Sequence, residues 1–381
     1  MQKCELPYTI GARRIDSNRP TPRVLARRAH GPPEKVTAMT ALPQDSEFRS
    51  FVALSARLGS DPLLVQAAGG NTSLKRDGAL WIKASGKQLR AAEGGDVFVP
   101  VDLAGVRAGI ERDLADPTAG QVLGGTSLRP SIETTLHALL PHRVVLHLHS
   151  VNALGWEVRA DGEARVAEHL AGLPWAWVPY CRPGLPLTRA VRAPAQAGAA
   201  VLALANHGIV VGADDCAAGE ALVREVERRL AIAPRPAPPS DAPRLAALAA
   251  ASGYRPAVDA VVHALATDST CLAWARQGVL YPDHVVFLGG EACVVDAAAD
   301  APAAIAAYRD RNGIEPAALL VAGAGVLVAP RAPAAAEEML RCQADVLLRL
   351  PAGTSIRCLA AAEVGELLNW DAEKFRQRLA H

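Results

Sequence analysis

A chain of 381 residues, half of them hydrophobic, can bury a substantial core without disulfide staples and has room for one large or two medium domains. Forty Lys and Arg against 39 Asp and Glu leave a formal net charge of +1, which excludes a global field for nucleic acid or an anionic membrane, so any anion must be caught locally. The seven cysteines are scattered without a Cys-x-x-Cys pair, and no apolar run reaches the roughly 18–20 residues that span a bilayer, so the expectation is a soluble, cytoplasmic protein with reduced thiols.

Residues 1–38 are rich in Arg, Pro and Gly and carry neither helical nor strand period; a disordered or mis-called N-terminal arm is expected there. Folding is expected from Leu42, with Glu47 to Leu58 giving an amphipathic helix closed by Gly59. Gly69-Gly70-Asn71-Thr72-Ser73 and, after the strand-like Ala79 to Lys83, Ser85-Gly86 place small and hydrogen-bonding residues in two turns. Together these could cradle an anion, although each also reads as an ordinary turn. Pro130 to Leu140 reads as a helix with Ser131 as its cap and Glu133 in the first turn, where a carboxylate also suits the helix dipole.

The apolar run from Arg143 to His149 carries His147 and His149 at i and i+2. On a strand such side chains leave one face roughly 6–7 Å apart at the backbone, a spacing fit for one metal ion, though such a pair can also simply line a polar face. Ala200 to Ala205 is an apolar strand broken by Asn206-His207-Gly208, which sets His207 at a tight hairpin. Cys216 to Leu230 reads as a long helix, and residues 233–242 as a Pro/Ala linker ending an N-terminal domain of residues 42–232.

Residues 243–381 are expected to form a smaller C-terminal α/β domain, structural or supplying one wall of a cleft. Aligning Val201 to Val211 with Ala318 to Val328 suggests a weak internal duplication, with convergent patterning as the alternative, and puts Ala324 where His207 stands. Tyr281-Pro282-Asp283-His284 is the most polar landmark of this part and is expected to lead into a strand from Val285 to Leu288.

Three histidines and a carboxylate on separate turn-ended elements can hold a divalent ion with an open position; Zn²⁺ suits imidazole best, with Mn²⁺, Fe²⁺ and Co²⁺ as alternatives. These motifs, in this order, resemble the class II zinc-dependent sugar aldolases, which include fuculose-phosphate and rhamnulose-phosphate aldolases and share a fold with the adducin head. The stretch Arg129 to Thr134, Val178 to Tyr180 and the later Pro-Asp-His are most similar to the aldolase half of bifunctional rhamnulose-phosphate aldolase/dehydrogenase proteins, over roughly residues 45–350, with no counterpart of the dehydrogenase half expected in the sequence.

The resemblance implies an α/β fold of three αβα layers with a largely antiparallel central sheet, and a homo-oligomer. It implies His147, His149 and His207 as metal ligands, Glu133 as the acid/base, and Gly70, Asn71, Ser85, Gly86 and Ser131 as a phosphate cradle. The implied reaction is cleavage of a ketose 1-phosphate to dihydroxyacetone phosphate and an aldehyde; the balanced charge separately gives no expectation of a nucleic-acid or membrane partner. The fuculose-type enzymes place two serines before the Glu, whereas this chain has Ser131-Ile132, so the cradle lacks one hydroxyl while Lys83 and Lys87 add cations. The family's catalytic tyrosine has only Tyr180 and Tyr281 as candidates. The family also holds pentulose-phosphate 4-epimerases, a thiosugar-phosphate dehydratase and the non-enzymatic adducin head.

Overall fold

The computed structural model describes residues 42–296 and 300–371, so the expectations for residues 1–38 lie outside the described residues. A helix forms over Ser46–Gly59 because Asp45 caps it, its carboxylate accepting from the Phe48 amide at 3.1 Å, and because Phe48, Phe51, Leu54 and Leu58 share one buried face. Phe48 packs on Trp81 and Phe51 on Phe98, with centroids 5.0 and 4.6 Å apart. Gly59 is the last helical residue, and a Cβ there would run into the side chain of Leu89 and lie 2.5 Å from the Arg90 amide. Gly59→Ala should therefore destabilise the protein by about 1–3 kcal/mol, read as a lower urea midpoint with unchanged slope.

The central sheet is built from β1 (Asn71–Arg76), β2 (Ala79–Lys83), β3 (Phe98–Asp102), β4 (Val144–Leu148), β5 (Trp175–Val178), β6 (Val201–Leu204) and β7 (Gly208–Ala213). Its order is β3-β2-β1-β4-β7-β6-β5, and every pairing is antiparallel except β5 with β6. Strand alternation divides the core. Leu74, Leu146, Ala203 and Ile209 face the helices Ser46–Gly59 and Cys216–Leu230, while Val145, Leu202 and Val210 face Thr134–Leu139 and Leu185–Ala190. This is the expected three-layer, largely antiparallel α/β architecture.

A second sheet of β8 (Arg255–Pro256), β9 (Cys293–Val295), β10 (Ala318–Val321) and β11 (Gly325–Val328) runs in the order β8-β11-β10-β9. Its β10–β11 hairpin copies β6–β7. The register from Ala318↔Val328 to Val321↔Gly325 parallels Val201↔Val211 to Leu204↔Gly208, and a parallel strand flanks the first member of each hairpin. Corresponding turn residues share left-handed backbones, Asn206 (φ +55°) with Gly323 (+73°) and Gly208 (+125°) with Gly325 (+139°).

The segment expected as a linker carries no helix or strand up to Asp241, and a helix (Ala242–Ser252) starts at its last residue, but the hydrophobic core continues past it: Val151, Leu154 and Val158 cluster with Trp274, Met339 and Val346. Val285 to Leu288 is a correction. Pro282–Leu288 is a helix, with Pro282 in its first turn, where the missing N–H costs nothing and φ is already helical. The burial of Val285, Val286 and Phe287 overrides the β preference of the two valines. None of the described helices is long and apolar enough to cross a membrane.

Candidate metal centre and cleft

His147 lies on β4, which is hydrogen-bonded between β1 and β7, and His149 immediately follows that strand. The i, i+2 spacing brings their rings together, with Nε2 atoms 3.2 Å apart. The β6–β7 turn carries His207 to the same point, and its ring centroid lies 4.9 Å from that of His147 and 5.3 Å from that of His149. Gly208 permits this approach, since a Cβ there would strike the Leu148 carbonyl. The turn is further fixed by Asn206, whose Nδ2 donates to the carbonyls of Leu280 and Arg357, each at 2.8 Å.

All three rings are buried. His147 Nδ1 meets the Ile209 carbonyl at 3.0 Å and donates to it, which leaves the Nε2 lone pair facing the cluster. Burial lowers the pKa of His147, and lowers that of His207 to about 3 against the opposing pull of Glu133, so both rings favour the neutral form that can ligate a cation. A tetrahedral zinc with bonds of about 2.0–2.1 Å would hold neighbouring nitrogens about 3.3 Å apart, close to the His147–His149 separation. His207 Nδ1 is buried with no hydrogen-bond partner among the described residues. The donor set fits a divalent metal.

Glu133 arrives from the opposite layer. It is the residue before the helix Thr134–Leu139, so Ser131 does not cap that helix as expected; its Oγ instead accepts from the Glu133 amide at 3.2 Å. The carboxylate is buried, with Oε2 3.4 Å from His147 Nε2 and Oε1 3.7 Å from His207 Nε2. Asn71 Nδ2 donates to Oε2 at 2.7 Å, which leaves Oε1 without a hydrogen bond among the described residues. Burial pushes the Glu133 pKa up, but coulombic coupling to His147 and His207 and the Asn71 hydrogen bond outweigh it and lower the group to about 2. A divalent cation in the same place would act in the same direction.

The cleft beside this cluster has about 30 Å³ of free volume and is lined by each of the expected cradle residues, Gly70, Asn71, Ser85, Gly86 and Ser131, together with Lys83, Glu133, His149 and His207. Gly70 has φ +56° and lies against the His147 carbonyl, so it follows the floor of the site. Asn71 lines the cleft, and one N–H of its side-chain amide goes to Glu133. Lys83 is buried, and its Nζ donates to the carbonyls of Ala68 at 2.6 Å and Lys87 at 2.9 Å, tying down the glycine loop. Lys87 is exposed and does not line the cleft.

Neither candidate tyrosine reaches the cleft. Tyr180 lies under the Arg357 guanidinium, 5.2 Å from its ring centroid, and Tyr281 is buried against Cys342; burial raises the pKa of both hydroxyls. Sequence reasoning singled out the Tyr281 to His284 motif but missed that Asp283 enters the cleft, with Oδ2 3.1 Å from His149 Nδ1. Its only signal in the sequence is an acidic residue just inside a Pro-initiated segment.

Residues 49–233 match the Class II Aldolase and Adducin N-terminal domain family. A curated relative, the uncharacterized oxidoreductase YuxG of Bacillus subtilis (strain 168), is 33% identical over 156 residues, covering 37% of this chain and 22% of the relative, so the match spans about a fifth of that protein. Among solved structures, the N-terminal class II aldolase domain of a conserved protein from Thermoplasma acidophilum is similar at 25% identity and TM-score 0.43, over 52% of this chain and 97% of that one. A sugar-phosphate aldolase from Thermotoga maritima is similar at 16% identity and TM-score 0.39, over 48% and 90%.

Proposed function

Because residues 49–233 belong to the class II aldolase and adducin family, we propose that the chain is a metal-dependent aldolase that cleaves a ketose 1-phosphate to dihydroxyacetone phosphate and an aldehyde. The observation that carries this reading is the buried Glu133 carboxylate beside a convergent histidine triad, at the edge of a cleft lined by serine and glycine turns.

His147, His149 and His207 would hold the ion, with Zn²⁺ favoured by the imidazole set. When bound, a divalent ion polarises a substrate carbonyl and offsets the negative charge that develops on it. Ser85, Ser131 and the backbone around Gly70 and Gly86 supply hydrogen-bond donors to the phosphate, with Lys83 stiffening the glycine loop beneath it. In the synthetic direction Glu133 Oε1 takes a proton from the carbon next to the carbonyl of dihydroxyacetone phosphate, leaving an enediolate whose electron pair adds to the aldehyde carbon while the aldehyde π pair moves to its oxygen, which takes up the proton from Glu133 through water. In cleavage the hydroxyl on the aldehyde-side carbon gives its proton to Glu133 through water, its oxygen pair forms the new carbonyl as the carbon–carbon bond electrons pass to the enediolate, and the protonated Glu133 delivers the proton to that carbon. Asn71 keeps Oε2 occupied, so one oxygen is held for the transfer.

The cleft, about 30 Å³, is too small for a whole sugar phosphate. The remainder of the substrate lies in an adjoining cavity of about 550 Å³, which shares Ser131 and Ile132 with the cleft and is bordered by Arg129, Arg182 and Trp370. Arg182 covers the Trp370 ring at 4.3 Å. Arg182→Ala should raise KM by about tenfold while kcat changes little, the pattern of an interaction made equally in ground and transition states. Incubating the zinc-loaded protein with a panel of ketose 1-phosphates and identifying products tests the assignment. Dihydroxyacetone phosphate supports it, whereas an epimer, a dehydrated sugar or no turnover argues for another branch of the family.

A further inference from the structure

We infer that Asp283, contributed by the part of the chain beyond the family match, is a positioning residue for His149, and that the C-terminal region thereby completes the metal centre. This rests on the reading of His147, His149 and His207 as metal ligands. The Asp283 carboxylate is 2% exposed and its Oδ2 lies 3.1 Å from His149 Nδ1, while the other nitrogen of that ring, Nε2, points into the histidine cluster. A neutral imidazole carries one proton. Oδ2 makes no aligned hydrogen bond with the His149 ring, so the contact acts through charge: a carboxylate beside Nδ1 favours the proton there and leaves the Nε2 lone pair toward the cluster.

An acid in the first turn of a helix is also favoured by the helix dipole, which would account for an exposed Asp283 but not for burying it. Room for the contact is made by Gly69, where a Cβ would sit 2.6 Å from Asp283 Oδ2 and 2.8 Å from His149 Nδ1. The first glycine of the pair is thus required by the carboxylate–imidazole contact, a role distinct from that of Gly70. The same region also steadies the neighbouring loops. Glu338 Oε2 accepts from the Ala67 amide at 2.7 Å, just before the glycine pair, and the Leu280 and Arg357 carbonyls hold Asn206 beside His207.

The test has two readouts that do not depend on turnover. In the metal-free wild-type protein, ¹⁵N-histidine NMR should show His149, assigned by its loss in His149→Gln, protonated at Nδ1 and bare at Nε2. In Asp283→Asn that preference should weaken, and zinc affinity, measured by competition with a chelator, should fall by about 10–100-fold. The inference is overturned if wild-type His149 is protonated at Nε2, a result that needs no variant to fold. It is equally overturned if folded Asp283→Asn binds zinc as tightly as wild type. Wild-type protein that binds no divalent ion overturns the metal reading itself, an outcome separate from tight zinc binding that ignores Asp283.

Discussion

Glu133→Gln should fold, keep its metal and lose cleavage activity by about 10²–10⁴-fold, the usual share of a general base. Gln preserves the volume of the buried side chain, and its carbonyl oxygen can still accept from Asn71 Nδ2 where Glu133 Oε2 does at 2.7 Å. What it cannot do is accept a proton at the position of Oε1, the oxygen near His207 that has no hydrogen bond among the described residues. Exchange of the donor's α-proton into deuterated water should fall in parallel, because it needs the same transfer without the carbon–carbon step. Exchange at the wild-type rate in a folded, metal-loaded Glu133→Gln protein would remove Glu133 from the mechanism. Since Tyr180 and Tyr281 both lie outside the cleft, suspicion would then pass to water in the site rather than to another side chain considered from sequence.

The parts of the fold written into local pattern were legible in the chain. The helix Cys216–Leu230 has the expected bounds, the i, i+2 histidines converge as strand geometry requires, and the break at Asn206 to Gly208 is the expected turn. Errors arose where tertiary packing outweighs local preference. Val285 to Leu288 reads as a strand by its β-branched residues, but Pro282 and burial make it helical. Ser131 reads as a helix cap from spacing alone, yet the helix starts later and its hydroxyl holds the Glu133 amide instead. The resemblance implies Asn71 in the phosphate cradle; it does line the cleft, and the fold adds that its Nδ2 donates to Glu133. Asp283 meets His149 across a long stretch of chain, and no periodicity in one sequence encodes such a contact. Its position is set by a helix whose existence was itself misread.

His207→Ala should reduce bound metal from about one ion per chain to near zero without unfolding the protein. Three protein ligands are the usual minimum for a catalytic zinc site, and the remaining pair, His147 and His149, would leave half of a tetrahedral shell to water. The turn should survive the change, because the matching hairpin carries a buried Ala324 at the equivalent position between left-handed residues at the corresponding places, Gly323 and Gly325. Loss of metal can therefore be separated from loss of fold by comparing thermal midpoints with and without zinc. In the wild type, zinc at 100 times its Kd should stabilise the native state by about 2.7 kcal/mol and raise the midpoint. In His207→Ala the metal-free midpoint should stay within a few degrees of wild type, and zinc should no longer shift it. Full stoichiometric zinc and an intact shift in the variant would mean that the third ligand comes from elsewhere in the cleft.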